Sequence, residues 1–396
     1  MTSELIGVIN AGSSSVKFSI FEDERAVLSA QVDGIGAHPK TRAVGADGEK
    51  VAPPDLGQTA PKSPSDAIPA ILQWATASLG GRRLAALGHR VVHGGTHFAG
   101  PTRVTSQLLD ELETLIPLAP LHEPFSLTPM KTTLRLHPEI PQVACFDTAF
   151  HRTMPEVNTV FALPYAYAEE GVRRYGFHGL SYEYIASVLP QQAPDIATGR
   201  VVVAHLGNGC SACAMHEGKS VATTMGFTAL DGLPMGTRCG ALDPGVVLYF
   251  LQQKKMTPEA ISDLLYKRSG MLGLSGLSLD FRDLLASEAP QSRLAVAVFC
   301  QETARHIASL ATALGGLDGI VFTAGVGENA APVRAAICTA CAWLGLDLDT
   351  AANDRNIPGR ISAAGSRIVA YVINTNENLM IARHVRAIVQ EGAVTK

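Results

Sequence analysis

Residues Val8–Phe18 read V-I-N-A-G-S-S-S-V-K-F and constrain the rest of the chain more than any other stretch. The apolar run Leu5–Ile9 predicts a buried strand, Asn10–Ser15 a turn of small polar residues, and Val16–Phe21 a return strand. Gly12 frees the backbone of that turn, so that successive N–H groups can converge on one anion. Ser13, Ser14 and Ser15 add hydroxyl donors, and Lys17 adds a positive charge just past the turn. This is the composition of a polyphosphate cradle. It is not a Walker A loop: G-x-x-x-x-G-K-[ST] is absent, and a strand follows where that motif requires a helix. An ordinary hairpin with a Ser-rich turn is the competing reading.

At 396 residues the chain exceeds one ordinary core, so two domains are expected. A hydrophobic fraction of 46% against 17% charged residues describes a well-buried globular protein. A net charge of −4 supplies no electrostatic attraction for nucleic acid. The first 25 residues lack the basic start, apolar core and cleavage site of a signal peptide. No apolar run reaches membrane-spanning length, since the most tempting one, Ser292–Leu314, carries Arg293, Glu302, Arg305 and His306. A cytoplasmic protein with no membrane partner is the expectation. Seven cysteines, an odd number, argue against a disulfide framework. The pairs Cys210/Cys213 and Cys338/Cys341 stand too far apart for a zinc ribbon, and read as small core residues.

Gly34–Lys62 reads as turns and short edge strands. Pro64–Leu79 is helical, with Ile68, Ile71, Leu72 and Ala75 on one face. Leu84–His93 is a strand. Helices over Thr105–Ile116 and Leu127–Leu136 flank the turn P-L-A-P-L-H-E-P, and the strand Val143–Phe146 delivers Asp147 at its end. The pattern then restarts: strand Val201–His205, turn Leu206–Gly209, strand Cys210–His216. A strand, a Gly/Asn turn and a strand thus open both halves, a weak internal repeat. Helices at Pro244–Gln253, Pro258–Lys267 and Ser292–Leu314 alternate with strands at Gly319–Thr323 and Arg367–Ile373, and a helix near Asn376–Gln390 closes the chain. Two similar α/β halves with a cleft between them follow.

Four clusters could carry chemistry. On the strand ending H-R-V-V-H-G-G, alternation puts Arg90 and Val92 on one face, which suits a small carboxylate with a short tail. A structural arginine–carboxylate pair is the alternative there. Asp147 in F-D-T-A-F-H is a catalyst or a cap. His178 in R-Y-G-F-H-G is crowded by glycines, as where a ligand approaches closely. The remaining series is G-T-R at 236–238, D-F-R at 280–282, G-V-G-E-N at 325–329 and T-N-E at 375–377. In G-V-G-E-N, a strand, a glycine turn and a helix beginning near Ala331 would seat a nucleotide.

Taken in order, V-I-N-A-G-S-S-S-V-K-F, H-R-V-V-H-G-G, F-D-T-A-F-H, R-Y-G-F-H-G, H-L-G-N-G, M-G-F-T-x-L-x-G-L-P-M-G-T-R and G-V-G-E-N resemble the acetate kinases from about Ile6 to Arg383. That family belongs to the superfamily of acetate and sugar kinases, chaperone ATPases and actin. The resemblance implies an α/β fold of two duplicated actin-like, ribonuclease H-like domains around a nucleotide cleft. Residues 1–148 with 378–396 would form the first domain and 149–377 the second. It further implies reversible ATP-dependent phosphorylation of acetate to acetyl phosphate, with magnesium (manganese as the alternative), in a homodimer. Carried over by position, Asn10 and Glu377 would serve the metal and Lys17 the nucleotide phosphates. Arg90 would bind acetate, with Val92 beside it, and Asp147 is the family's active-site acid. His178 and Arg238 would stabilise the transition state. His205, Leu206, Gly207, Asn208 and Gly209 would hold ATP, together with Asp280, Phe281, Arg282, Gly325, Val326, Gly327, Glu328 and Asn329.

Several residues depart from the family's pattern: Ala222 for Asp, Leu180 for Thr, Tyr182 for His, Glu123-Pro124-Phe125 for Asn-Pro-Ala, and Cys239 and Ala241 within R-S-G-D. None removes a transferred catalytic residue. Acetate is ionised at neutral pH and needs no general base, so Asp147 is expected to position groups while acetate attacks the γ-phosphorus directly in line. A phospho-enzyme on Glu377 is the minority alternative. Propionate or butyrate is the nearest rival substrate. A non-catalytic, actin-like assembly protein is the rival of another class, although mere nucleotide binding needs none of Arg90, Asp147, His178 and Arg238.

Overall fold

Strand β1 (Leu5–Ala11) is buried over its first five residues and pairs antiparallel with β2 (Ser15–Glu22), setting Asn10 opposite Lys17. The structure, a computed structural model, describes residues 4–12, 15–57, 60–119 and 122–394. The hydroxyl donors expected of Ser13 and Ser14, and Pro120 and Leu121 of the expected turn, lie outside them. The chain forms two units, Met1–Phe150 with Asn376–Lys396, and His151–Thr375.

In the first unit, β1 and β2 are joined by β3 (Arg25–Asp33), β4 (Lys40–Gly45), β5 (Leu84–Val91), β6 (Thr102–Arg103) and β7 (Gln142–Phe146) in the order β4-β3-β2-β1-β5-β7-β6. Strands β1, β5 and β7 are parallel neighbours. One face is covered by α1 (Pro64–Ser78), α2 (Ser106–Glu113) and α3 (Glu123–Leu136). The predicted stripe of α1, Ile68, Ile71, Leu72 and Ala75, is buried against Leu5, Ile9, Phe18 and Leu87. Each of its larger side chains contributes roughly 1.5–3 kcal/mol by leaving water, stabilising a helix too short to persist alone. The opposite face takes the closing helix Glu377–Val394, which packs on β1, β5 and β7. Gly88 permits this approach: a Cβ there would lie 2.4 Å from Ile381 and 2.6 Å from Val385.

The second unit repeats the plan. Strands β8 (Arg200–Leu206), β9 (Cys210–His216), β10 (Lys219–Thr223), β11 (Gly319–Thr323), β12 (Gly359–Arg360) and β13 (Val369–Val372) form a sheet in the order β10-β9-β8-β11-β13-β12. Its antiparallel β10-β9-β8 run and parallel β8-β11-β13 run match β3-β2-β1 and β1-β5-β7 strand for strand. The mixed α/β fold with two duplicated sheets is therefore as expected.

Local differences have physical reasons. Strand β5 stops at Val91, so Val92 and His93 lie in the bend beyond it. Helix α3 begins at Glu123, so the E-P of the expected turn is its first turn, with proline where a helix needs no N–H donor. The G-V-G-E-N segment is itself a short helix, Ala324–Asn329, entered directly from β11 through Ala324 at φ 64°, not the expected glycine turn. No described helix is long and apolar enough to cross a membrane.

Candidate active site

Open α/β sheets present ligand-binding groups beyond the carboxyl ends of their parallel strands. In the first unit, Asn10 and Arg90 are the next-to-last residues of β1 and β5, and Asp147 follows β7 by one residue. Three adjacent parallel strands therefore bring these side chains together. Arg90 Nε donates to Asp147 Oδ1 and Oδ2 at 3.1 and 3.0 Å, and Nη2 donates to Oδ2 at 2.6 Å. Arg90 Nη1 reaches Asn10 Oδ1 only at 3.4 Å. Asp147 is buried, while the Arg90 side chain keeps 23% of its surface. Burial disfavours the Arg90 charge, but the negative charges of Asp147 and Glu377 outweigh it and hold the guanidinium more firmly protonated than usual. Glu377, the first residue of the closing helix, thus lies within electrostatic reach of Arg90. Lys17 is exposed on β2, opposite Asn10, and Val92 is half-buried.

Arg90 is thus half of the structural ion pair that was the alternative reading, and part of its side chain stays accessible. Asp147 occupies the Nε–Nη2 side of the fork. Nη1 makes only the long contact to Asn10, so guanidinium N–H groups remain for a further acceptor.

In the second unit, the β8–β9 turn gathers His178, His205, Asn208, Gly209 and Arg238. His178 precedes helix Gly179–Gln192 with φ 59°, a left-handed conformation that costs of order 1 kcal/mol. Its Nδ1 is hydrogen-bonded to Ser211 Oγ at 2.8 Å, and the Tyr182 hydroxyl holds the same Oγ at 2.5 Å. Tyr182, one of the departures, therefore supports the orientation of His178. The His178 and His205 rings stack with centroids 4.2 Å apart, and His205 Nδ1 is fixed by Ser181 Oγ at 2.8 Å. Gly209 is flanked by both expected charge stabilisers: a Cβ there would lie 3.1 Å from His178 Nε2 and 3.6 Å from Arg238 Nη2. Arg238 is held by the Ala229 carbonyl at 2.7 Å, and Gly236 N–H donates to Asn208 O at 3.1 Å. Leu206, by contrast, is a core side chain. Gly176, expected to admit a ligand near His178, instead makes room for His151 and Thr223, each 2.6 Å from a Cβ placed on it.

Beyond β11, Gly325 and Asn329 are exposed, Val326 is half-buried and Gly327 is buried. Glu328 ties this step together: its Oε1 accepts from the N–H groups of Ala324 at 2.9 Å and Thr375 at 3.0 Å. Arg334, which sequence reasoning missed, is fully buried and donates to the carbonyls of Gly327 and Glu328, both at 3.0 Å. It also bonds Asn353 and Asn356. A lone arginine in the Ala-rich helix Ala331–Ala340 was the available signal. Asp280 and Arg282 pair with each other; bonding to Arg282 holds the Asp280 carboxyl down at about 2. Phe281 between them is buried edge-on to Phe299.

No three or more His, Cys, Asp or Glu side chains among the described residues are grouped to hold a metal ion. Glu377 and Asn10 offer hard oxygen donors, which fit a magnesium ion held largely by phosphates and water. The C-x-x-C pairs are buried free thiols that burial pushes up to about 12 for Cys210, Cys213 and Cys338 and about 11 for Cys341. They behave as core residues.

Residues 5–383 match the model of the acetokinase family. An acetate kinase of Rhodopseudomonas palustris is 50% identical over 398 residues, covering 98% of this chain and 100% of that one. Among solved structures, the acetate kinase of Porphyromonas gingivalis superposes with a TM-score of 0.86 at 34% identity, covering 98% and 100% of the two chains. A propionate kinase from Francisella tularensis gives a TM-score of 0.89 at 35% identity, over 96% and 98%.

Proposed function

The chain belongs to the acetokinase family, and from that premise we propose how its own residues carry ATP-dependent phosphoryl transfer to acetate. The observation that carries the reading is the Arg90 fork, held on one side by Asp147 and offering the end of its guanidinium to a carboxylate. Arg90 binds acetate there. Asp147 positions Arg90: its two oxygens are committed to the guanidinium, and an ionised acetate has no proton for a base to remove. Val92, just past the strand, walls the methyl group.

Lys17, His205–Gly209, Asp280–Arg282 and Gly325–Asn329 bind ATP. Glu328 and Arg334 support this by fixing the backbone of the last segment. His178 and Arg238, side by side at Gly209, donate to the phosphoryl oxygens as charge redistributes in an in-line transfer. Asn10 and Glu377 hold magnesium, or manganese in its place. When bound, that cation neutralises phosphate charge.

A homodimer is part of the reading. Helix Pro244–Gln252 buries none of its residues and exposes Leu248, Tyr249 and Leu251, an apolar surface suited to a second copy. Free, mostly buried thiols agree with a cytoplasmic setting.

The test is a hydroxamate assay with acetate, propionate and butyrate, each with ATP and magnesium. Acetate is expected to give the highest kcat/KM. Failure to phosphorylate any of the three acids would overturn the reading, and a preference for propionate would reassign the acyl pocket.

A further inference from the structure

Glu123 belongs to none of the roles above. It opens α3, is fully buried, and replaces an uncharged residue in the family's pattern. Its Oε2 accepts from the backbone N–H of His93 at 3.1 Å, three residues beyond Arg90. Its Oε1 is buried with no hydrogen-bond partner among the described residues. It also lies within electrostatic reach of Asp147, the carboxylate that grips Arg90.

We propose that Glu123 is a positioning residue of the carboxylate site, a neutral acid that holds the bend after Arg90 and whose deprotonation weakens acetate binding. The proposal rests on the reading of Arg90 as the acetate anchor.

Because Oε2 accepts the His93 bond, the proton resides on Oε1. Two carboxylates close together in a buried site do not both ionise readily. Asp147 keeps its charge through Arg90, so Glu123 is the one that stays protonated. Burial first, and the Asp147 charge in addition, push the Glu123 carboxyl up to about 8, against the smaller opposing effect of the His93 N–H. Among the described residues, the bend after β5 brings His93 and the end of β7 brings Asp147, with His89 further back on β5. Burial drives His89 and His93 down to about 4, so neither offers a positive charge at neutral pH. Helices α1 and α2 bury only apolar side chains, and β1 carries no titratable group. Ionised Glu123 would therefore add an uncompensated negative charge within electrostatic reach of Asp147, beside a site that must admit an anion.

The experiment follows kcat/KM for acetate from pH 6 to 9.5 in wild type, Glu123→Gln and Glu123→Ala, with KM for ATP alongside. Wild type is expected to lose acetate kcat/KM about tenfold per unit above pH 8, through a rising acetate KM at constant ATP KM. Glu123→Gln, isosteric with the neutral acid, should lack this limb and recover at least tenfold of the activity lost in Glu123→Ala. In wild type at pH 6.5, infrared difference spectra against Glu123→Gln should show the carbonyl stretch of a buried protonated carboxyl. A limb that persists in Glu123→Gln, or a missing carbonyl band, overturns the proposal. Arg90→Ala separates the two readings. If it raises acetate KM while the Glu123→Gln limb persists, only the Glu123 proposal falls; if acetate KM is unmoved, the anchor reading falls as well.

Discussion

Replacing Asp147 by Asn removes one charge and almost no volume from the centre of the first unit's site. Asp147 is 1% exposed and receives three close contacts from Arg90, the shortest at 2.6 Å. Breaking a buried ion pair by deleting one partner costs roughly 3–5 kcal/mol. Two features reduce that here: the Arg90 side chain is about one-quarter open to water, and Asn keeps one oxygen acceptor. A stability loss of about 1–3 kcal/mol is expected, read as a lower urea midpoint at unchanged m-value. The kinetic effect should be larger in proportion, because Arg90 no longer has its Nε–Nη2 side fixed. A displacement of about 1 Å in a positioned group costs on the order of a hundredfold, or about 2.7 kcal/mol of barrier. Acetate kcat/KM should fall by that factor with KM for ATP nearly constant. The acidic side of the pH profile should keep its shape. The alkaline limb assigned to Glu123 should move to lower pH, since the Asp147 charge helps keep Glu123 neutral. If the acidic limb vanishes in Asp147→Asn with acetate binding intact, Asp147 is a general base and the positioning role is refuted.

Glu377→Ala should lower turnover by orders of magnitude, with the deficit greatest at limiting magnesium; near-wild-type turnover in a folded variant would end the metal assignment. Val92→Ala should make space for about one methylene and raise the propionate-to-acetate ratio of kcat/KM about tenfold, an effect of roughly 1–3 kcal/mol; a change within about twofold would place the methyl wall elsewhere. His89 and His151 are buried neutral, and burial lowers each to about 4. The stability this reflects is fully present above the unfolded value near 6.5 and is lost as pH falls towards 4, by roughly 2–3 kcal/mol for each group at pH 4.5. The acid-induced drop in urea midpoint should therefore shrink in His151→Asn; an equal drop in variant and wild type would refute that linkage.

The β1–β2 hairpin and its β8–β9 counterpart are legible because an apolar run, a small polar turn and a second run are all local signals. The α1 stripe is legible for the same reason, through its period. Strand β3 also alternates, with Leu28, Ala30 and Val32 buried, a local signal of the same kind that the sequence reading above leaves unassigned. What the one-dimensional pattern hides is burial of charge. Glu123 reads as part of a connecting turn, and Arg334 looks like a solvated helix residue; both are fully buried. The stacking of His178 on His205 depends on a left-handed residue meeting a strand from elsewhere in the chain, and no spacing rule contains it. The motif residues Asn10, Arg90 and Asp147 do come together, because three parallel strands end side by side.

The closing helix gives synthesis of this protein a fixed order of events. Its packing surface on β1, β5 and β7 exists once the first 150 residues have emerged, yet the helix is encoded only after the whole second unit. During translation of His151–Thr375, roughly 10–45 s at typical rates, the sheet face around Gly88 has no cover from Ile381 and Val385. That interval is when the nascent chain is open to chaperones and to aggregation. Glu377, the proposed metal residue, arrives with the same helix, so the cover of this sheet face and that carboxylate come together.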